Sequence, residues 1–285
     1  MIASKNLLDG KSLAKKIRGE VKEEILDIKK SKGITPGLTV IIVGEDPASQ
    51  AYVSKKEKAA KKLGINSKIF RLPETTSEDH LLKLIHRLNN EQTVDGILVQ
   101  LPLPDHIDKE KVIDAISPEK DVDGFHTINA GKMFLNKDTL LPCTPYGVLK
   151  LLESEDVSLE GKHVVVVGAS DIVGKPMAML ALNQMATITI CHIATKDLAY
   201  HTRQADIIIV AVGKVNLITE EMVKDGAVVV DVGINRLEDR LVGDVDFENV
   251  SKKASLITPV PGGVGPMTIA MLMYNTLLAM KERRG

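Results

Sequence analysis

The sequence is poor in cysteine, nearly free of net charge and without a long apolar run. Its two cysteines, Cys143 and Cys191, lack C-x-x-C spacing, which argues against a disulfide framework or a zinc site and suits a reducing compartment. The 37 basic and 38 acidic residues nearly cancel, so no overall field favours nucleic acid or an anionic membrane. No segment approaches the roughly 20 apolar residues that span a bilayer, and the N-terminus lacks a signal-peptide core. We therefore expect a soluble, cytoplasmic protein that binds no metal, nucleic acid or membrane.

Helical and strand patterns alternate along the chain, which predicts an α/β fold with parallel sheets covered by helices. Strand-like runs occur at 38–43, 66–72 and 95–101, and near 163–167, 187–191, 207–211, 227–231 and 255–258. Helical patterns cover 10–31, 46–63, 77–90 and the C-terminal segment. In the helix at 46–63, Asp46 is the expected N-cap, Pro47 the first helical residue and Gly64 the left-handed stop.

The 285 residues are enough for two domains. The pattern is interrupted at LPCTPYG (141–147), where two prolines and a glycine predict the boundary between the two domains. We assign the first domain to 1–143 and the second to 144–265. The last helix, 266–285, is expected to pack back on the first domain.

The stretch HVVVVGASDIVGKP (163–176) has the form of a strand that leads into a helix N-terminus, a turn that often holds phosphate. It departs from the dinucleotide fingerprint G-x-G-x-x-G. Ser170 and Val173 occupy the positions of the second and third glycines. The turn alone therefore indicates a nucleotide site of unusual type.

One lysine falls within an apolar helix face. Tyr52, Lys56, Ala59 and Leu63 are spaced by four, three and four residues, so they share one stripe of the helix predicted at 46–63. One interpretation is a snorkelling lysine whose stem covers apolar surface. The other is a partly desolvated lysine that transfers protons near neutral pH.

Two polar features occur near the end of the predicted strand 95–101. Gln100 interrupts the apolar run ILVQLPLP, and a buried amide needs partners for its donors and acceptors. It is either a core glutamine bonded to the backbone or a ligand-binding group at the carboxyl end of a parallel strand. In DVDGF (121–125), Asp121 and Asp123 form either a turn or a carboxylate site.

The segment TPVPGGVGPMTI (258–269) combines three prolines and three glycines ahead of a helical run. Gly262, Gly263 and Gly265 carry no side chains that would block a flat ligand. The loop is either a connection or a ligand contact, and its density of glycine and proline favours the contact.

Together these motifs resemble the bifunctional methylenetetrahydrofolate dehydrogenase/methenyltetrahydrofolate cyclohydrolase family. The resemblance rests on TPVPGGVGPMT, VQLPLP, the Y-V-x-x-K at Tyr52–Lys56, DVDG, DVGINR (231–236) and V-G-K-P (173–176), and it extends over essentially the whole chain. It implies two α/β domains flanking a cleft, the second of them Rossmann-like. It also implies oxidation of 5,10-methylenetetrahydrofolate with a nicotinamide cofactor, then hydrolysis to 10-formyltetrahydrofolate.

The resemblance also implies the roles of individual residues. Lys56 is the acid/base group, Gln100 hydrogen-bonds to it, Tyr52 stacks on the aminobenzoyl ring and Asp123 binds the donor edge of the pterin. Substrate contacts are implied for Tyr52, Lys56, Val99, Gln100, Leu101, Asp123, Pro261, Gly262, Gly263 and Gly265. Cofactor contacts are implied for Gly168, Ala169, Ser170, Ile172, Val173, Ile234 and Thr268.

The residues expected to select the dinucleotide depart from the family pattern. The family turn commonly reads G-R-S, with the arginine pairing with the 2′-phosphate of NADP, and Ala169 stands at that position here. Ile193 stands where serine or a basic residue is common. No carboxylate precedes Asp197 in CHIATKD to bind the ribose hydroxyl of NAD. We expect NADP from the resemblance, with NAD as the alternative; Lys175, Lys196 or His192 are candidate substitutes for the missing phosphate contacts.

Three other functions fit the residues less well. A monofunctional NAD-dependent dehydrogenase is disfavoured by Lys56, which some relatives of that kind lack. A silent folate- or nucleotide-binding module is disfavoured by the presence of Lys56, Gln100 and Asp123 together. A hydroxy-acid dehydrogenase would require a histidine–carboxylate pair, and the seven histidines fall in no such motif. Because family members are commonly homodimers, we also expect a homodimer.

Overall fold

A computed structural model describes residues 6–238 and 240–285. They fall into two compact units. The first unit comprises Lys16–Cys143 and Ile269–Gly285, and the second comprises 6–15 and Thr144–Thr268. The α/β class predicted from the alternating pattern is confirmed, because both units have parallel sheets connected by helices.

The first unit is built on a parallel sheet of three strands in the order β2-β1-β3. These strands are β1 (Gly37–Val43), β2 (Asn66–Leu72) and β3 (Gly96–Val99). In register, Val40 of β1 lies opposite Ile69 on one side and Leu98 on the other. The helices are α1 (Gly10–Lys32), α2 (Pro47–Leu63), α3 (Glu78–Asn90), α4 (Lys109–Asp114), α5 (Thr127–Phe134) and α10 (Val264–Arg284), with a 3-10 turn at Pro118–Lys120.

The second unit contains a parallel sheet of five strands in the order β10-β7-β6-β4-β5. Its strands are β4 (His163–Val167), β5 (Thr187–Cys191), β6 (Ile207–Val210), β7 (Val228–Asp231) and β10 (Leu256–Ile257), and a hairpin joins β8 (Asn235–Leu237) to β9 (Arg240–Val242). The helices are α6 (Cys143–Ser154), α7 (Gly174–Asn183), α8 (Leu198–Thr202) and α9 (Phe247–Val250), with a 3-10 turn at Glu220–Met222. Because β4 pairs with β5 on one side and β6 on the other, the strand order reverses at β4, where doubly wound sheets bind ligands.

The division of the chain differs at its N-terminus from the one predicted. Residues 6–15 were expected in the domain 1–143, but they group with the second unit. The reason is backbone hydrogen bonding: Leu8 N donates to Ile257 O and Lys11 N donates to Gly262 O, each at 2.9 Å. Residues 1–5 of the predicted first domain lie outside the described residues.

Most of the C-terminal helix, from Ile269 onward, groups with the first unit, whereas residues 264–268 at its start group with the second. Asp95, which is 0% exposed, holds its end. The carboxylate accepts hydrogen bonds from both Arg283 and Arg284 and from Gly37 N, so it joins α10 to β1. Among the described residues, no helix is long and apolar enough to cross a membrane.

We expect Asp95→Ala to lower the free energy of unfolding by about 3–5 kcal/mol, because it leaves two half-buried guanidinium groups without their carboxylate. Urea titration followed by circular dichroism measures the loss. Glu153→Ala is the matched control, since it breaks only the exposed pair with Lys150. Equal stability of the two variants would show that Asp95 does not hold the C-terminal helix.

Candidate functional site

Helix α2 carries a lysine on its buried side. The helix begins as predicted: Asp46 Oδ2 accepts from Ser49 N at 2.7 Å, Pro47 is the first residue, and Gly64 ends it in the left-handed conformation with φ 81°. Lys56 is only 8% exposed. The burial of Lys56 is therefore confirmed, although most of the other lysines of α2 are exposed.

The buried stripe differs from the predicted one. It consists of Ser49, Val53, Lys56, Ala60 and Leu63. Tyr52 and Ala59, assigned to the same stripe from the sequence, are half-buried and lie beside it. The spacing of four and three fits two adjacent stripes of a helix equally well, and both contain Lys56 and Leu63.

Gln100 is the partner of this lysine. The Lys56 Nζ donates to Gln100 Oε1 at 3.0 Å, and Gln100 Nε2 donates to Leu101 O at 2.6 Å. Gln100 follows β3, which is shorter than the predicted strand 95–101, and its backbone N–H donates to Ile41 O of β1. Within the described residues, Gln100 is the acceptor that the Lys56 ammonium contacts. Two of the three N–H bonds of that group are thus free for a ligand.

Tyr52 is placed one helical turn before Lys56 and is half-buried. Burial raises the pKa of its phenol, so the ring stays uncharged near neutral pH. The Lys55 ammonium lies 5.6 Å from the ring centroid. A neutral aromatic ring thus lies next to the lysine, as stacking on a flat ligand requires.

The two carboxylates of DVDGF have different surroundings. Asp121 is buried and accepts from His126 N at 2.7 Å, Asn129 Nδ2 at 3.0 Å and Gly124 N at 3.2 Å. Burial raises the pKa of Asp121, and these donors oppose the increase. Of the two alternatives for DVDGF, the turn therefore applies to Asp121, because its carboxylate accepts hydrogen bonds from its own loop and from the start of α5.

The carboxyl of Asp123 interacts with the positive charge of Lys56. The residue is half-buried, and burial raises the pKa of its carboxyl, while the positive charge of Lys56 acts in the opposite direction. Lys56 interacts with both Gln100 and Asp123, so these three residues, selected from separate parts of the sequence, form one cluster in the first unit.

Two groups that were not predicted from the sequence hold the loop of Asp123. Asn275 of α10 is buried, and its Nδ2 donates to Val122 O at 2.9 Å and Leu141 O at 2.8 Å. The Cys143 thiol donates to Val122 O at 3.2 Å, and burial keeps the pKa of this thiol well above its usual range, so it stays protonated. Asn275 could have been found by the criterion that identified Gln100, since it interrupts the apolar run MLMYNTLL.

In the second unit, the loop at 258–265 is shaped partly by its own packing. A Cβ on Gly263 would lie 2.7 Å from Thr258 Cβ, so this position has no room for a side chain even without a ligand. Pro261 is exposed, and Gly262 and Gly265 are half-buried. The half-buried Thr268 hydrogen-bonds to Thr144 through their hydroxyls at 2.9 Å.

The glycine turn after β4 departs from the fingerprint less than its sequence suggests. A Cβ on Gly174 would lie 2.1 Å from Gly168 O, so Gly174, one position after Val173, permits the close strand–helix packing that the third glycine normally provides. Ser170 Oγ accepts from Val173 N at 3.2 Å and Gly174 N at 3.4 Å. These N–H groups at the start of α7 are therefore bonded to Ser170, and Lys175 N also donates to Ser170 O at 3.0 Å.

The remaining predicted cofactor residues lie around the ends of the strands. Ala169, Ile172 and Val173 are half-buried in the glycine turn, and Ile193 after β5 is fully exposed. Lys175 pairs with Asp171 at 2.6 Å, which occupies one candidate substitute for a phosphate contact. Among the described residues, no group of three or more His, Cys, Asp or Glu side chains could hold a metal ion.

Comparison with known proteins assigns both units. The catalytic-domain model of tetrahydrofolate dehydrogenase/cyclohydrolase matches residues 8–123, and the NAD(P)-binding-domain model of the same enzyme matches 142–284. The chain belongs to the tetrahydrofolate dehydrogenase/cyclohydrolase family. The resemblance seen in the sequence motifs is thus confirmed.

Individual members of the tetrahydrofolate dehydrogenase/cyclohydrolase family are similar over nearly their whole length. The bifunctional protein FolD of Wolinella succinogenes is 60% identical, with 98% of each chain covered. The crystal structure of the FolD enzyme of Campylobacter jejuni has a TM-score of 0.96 at 58% identity, covering 97% of this chain and 99% of that one. The Trypanosoma brucei enzyme, solved with NADP and an inhibitor, has a TM-score of 0.93 at 42% identity, covering 96% of both chains.

We expect Asn275→Ala to loosen the loop that carries Asp123, because Val122 O and Leu141 O lose a buried donor. The free energy of unfolding should fall by about 1–3 kcal/mol. Hydrogen–deuterium exchange should become faster at Asp123 and Gly124 than in the unaltered protein.

Asn249→Ala removes a half-buried asparagine of the second unit, which hydrogen-bonds to Asp246 and Lys252, and serves as the control. Unchanged exchange in the loop of the Asn275 variant would show that the loop does not depend on Asn275.

Proposed function

We propose that this protein oxidises 5,10-methylenetetrahydrofolate to the 5,10-methenyl cation with NADP and hydrolyses that cation to 10-formyltetrahydrofolate. The observation that carries the proposal is the 3.0 Å hydrogen bond from Lys56 to Gln100, beside the carboxyl of Asp123. Membership of the family supports both activities.

Lys56 carries the proton transfers. Hydrolysis joins a water oxygen to the methenyl carbon and breaks the bond from that carbon to N5. One proton of the water moves to N5 and the other is released to solvent, which removes the positive charge of the cation. An amine with free N–H bonds and a positioning acceptor suits this transfer. Gln100 holds the Nζ of Lys56 in place through its carbonyl oxygen.

The other residues bind and orient the substrate. Asp123 accepts hydrogen bonds from the donor edge of the pterin, since its neighbour Asp121 is already bonded within the loop. The Tyr52 ring stacks on the aminobenzoyl group. Further substrate contacts are assigned to Val99, Leu101, Pro261, Gly262, Gly263 and Gly265.

The dinucleotide fits the second unit. The glycine turn after β4 lets the backbone approach a pyrophosphate closely at the point where the strand order reverses. When bound, NADP accepts the hydride from the methylene carbon. The residues that hold it are Gly168, Ala169, Ser170, Ile172, Val173, Ile234 and Thr268. NADP is chosen because of the related enzyme solved with it, and NAD is the alternative because Ala169 and Ile193 offer no charge to the 2′-phosphate.

The resemblance supports two further features, a homodimer and a cytoplasmic location. Both cysteines are free and buried, which is compatible with a reducing compartment.

Lys56→Met is expected to abolish hydrolysis of the methenyl compound, with a loss of about 10²–10⁴-fold, because the site loses its proton-transfer group. Decay of the methenyl chromophore measures this activity directly. Lys58→Met removes an exposed lysine from the same helix and should retain full activity.

A near-normal rate in the Lys56 variant would overturn its assignment as the acid/base group. If the unaltered protein neither hydrolyses the methenyl compound nor oxidises the methylene compound with NADP or NAD, the proposed function is wrong.

Ala169→Arg should improve NADP use relative to NAD by about tenfold or more, because a charge-assisted hydrogen bond to the 2′-phosphate is worth about 1.5–3 kcal/mol. The measurement is kcat/KM for methylenetetrahydrofolate oxidation with each dinucleotide. Ala169→Met tests the effect of side-chain length without charge. Equal changes with NADP and NAD would show that position 169 does not face the 2′-phosphate.

A further inference from the structure

Two buried carboxylates lie at the carboxyl end of the second sheet without an assigned role. Asp231 ends β7, and Asp244, which is 0% exposed, follows β9. Buried charges in proteins are normally paired with an opposite charge. Among the described residues, however, no salt bridge to either carboxylate occurs. Their partners are therefore the neutral N–H groups around them.

Asp244 binds the loop that follows β6. Its Oδ2 accepts from Val212 N at 2.7 Å and Gly213 N at 2.9 Å, and its Oδ1 accepts from Lys214 N at 2.8 Å. Oδ1 also accepts from Asn235 Nδ2 at 2.9 Å. One carboxylate thus fixes the backbone after β6 and a side chain after β7.

Asp231 orients Asp244. Its Oδ1 accepts from Asp244 N at 3.0 Å and Gly233 N at 2.9 Å, and its Oδ2 accepts from Val245 N at 2.9 Å. Burial raises the pKa of Asp231 to about 6 despite these donors, so the carboxyl is mostly ionised at neutral pH. The two carboxylates therefore connect the loop after β6 to the loop after β7.

Two glycines allow the backbone to pack directly against these carboxylates. A Cβ on Gly233 would lie 2.2 Å from Asp244 Cγ, and a Cβ on Gly243 would lie 1.8 Å from Asp231 Oδ2. Neither position has room for another side chain. Gly233, the glycine of DVGINR, is thus required because the Asp244 carboxylate packs against its backbone, and not because a turn needs it.

Each fixed loop presents an apolar side chain to solvent. Val212 is 46% exposed and Ile234 is 44% exposed. Val212 follows β6, the strand beside β4, and Ile234 follows β7, the next strand of the same sheet. The strand order reverses at β4, and doubly wound sheets bind dinucleotides at that point. An exposed apolar pair on a rigid backbone suits the flat face of a nucleotide ring.

We propose that Asp244, oriented by Asp231, is a positioning residue for the dinucleotide: it holds the loops at 212–214 and 233–235 so that Val212 and Ile234 contact the bound cofactor. This inference rests on the proposed function only in that the second unit binds a dinucleotide. An amide cannot replace the carboxylate, because an asparagine side chain has one acceptor oxygen and would direct an NH₂ group at backbone N–H donors.

The test is Asp244→Asn, with NADP titrated into the protein in the absence of folate and followed by intrinsic fluorescence or calorimetry. We expect the Kd for NADP to rise at least tenfold. The rate of methenyl hydrolysis, measured without dinucleotide, should stay within about twofold. Asp225→Asn, which changes an exposed aspartate of the same unit, should alter neither value.

A merely structural carboxylate would give a different pattern. An unchanged Kd for NADP in the folded Asp244 variant, or equal losses of NADP binding and methenyl hydrolysis, would overturn the inference. If Asp244→Asn does not fold, Val212→Ser keeps both carboxylates and alters only an exposed side chain. It should weaken NADP binding severalfold, and unaltered binding would count against the inference.

Failure of the proposed function gives a separate result, because titration requires no turnover. Weakened NADP binding by the Asp244 variant supports the inference even if the unaltered protein oxidises no methylenetetrahydrofolate. If the unaltered protein binds neither NADP nor NAD, the inference is wrong even if it hydrolyses the methenyl compound.

Discussion

The requirement that buried polar groups find partners determines how both candidate sites are built. Lys56 and Gln100 each lie at a largely apolar position, where a polar group needs a partner. Lys56 supplies the hydrogen-bond donor and Gln100 supplies the acceptor. Separating them would leave an unpaired cation near the core, so the pair also fixes α2 relative to the end of β3. The chemistry of the site and the packing of the first unit therefore depend on the same hydrogen bond.

Carboxylates serve two distinct purposes in this chain. Asp121, Asp231 and Asp244 are surrounded by N–H donors and organise loops, whereas Asp123 is the carboxylate whose pKa responds to the charge of Lys56. The contrast lies in the surroundings rather than in the residue type. A carboxylate that already accepts three or four N–H bonds has little capacity left for a substrate, so a half-buried carboxylate beside a lysine is the better candidate for recognition.

Regular elements and polar interruptions could be predicted from the sequence, because both leave a local pattern. The strand β1 and the caps of α2 follow from adjacent residues. Gln100 was identified because one amide stands out in an apolar run. Asp244 could not be found in this way: its partners are backbone N–H groups about 30 positions away, and a backbone donor leaves no trace in residue identity. The offset of Tyr52 from the buried stripe shows the limit of spacing alone, since helical periodicity fits two neighbouring stripes.

The two units suggest why one chain can perform two reactions without two complete active sites. Hydride transfer needs a dinucleotide held at a fixed position, and the rigid loops of the second unit can provide that without a charged catalytic group. Hydrolysis needs a proton carrier, the role proposed for Lys56 of the first unit. Because Lys56 and the loops held by Asp244 belong to separate sets of contacts, we expect a substitution in one set to leave the other set in place.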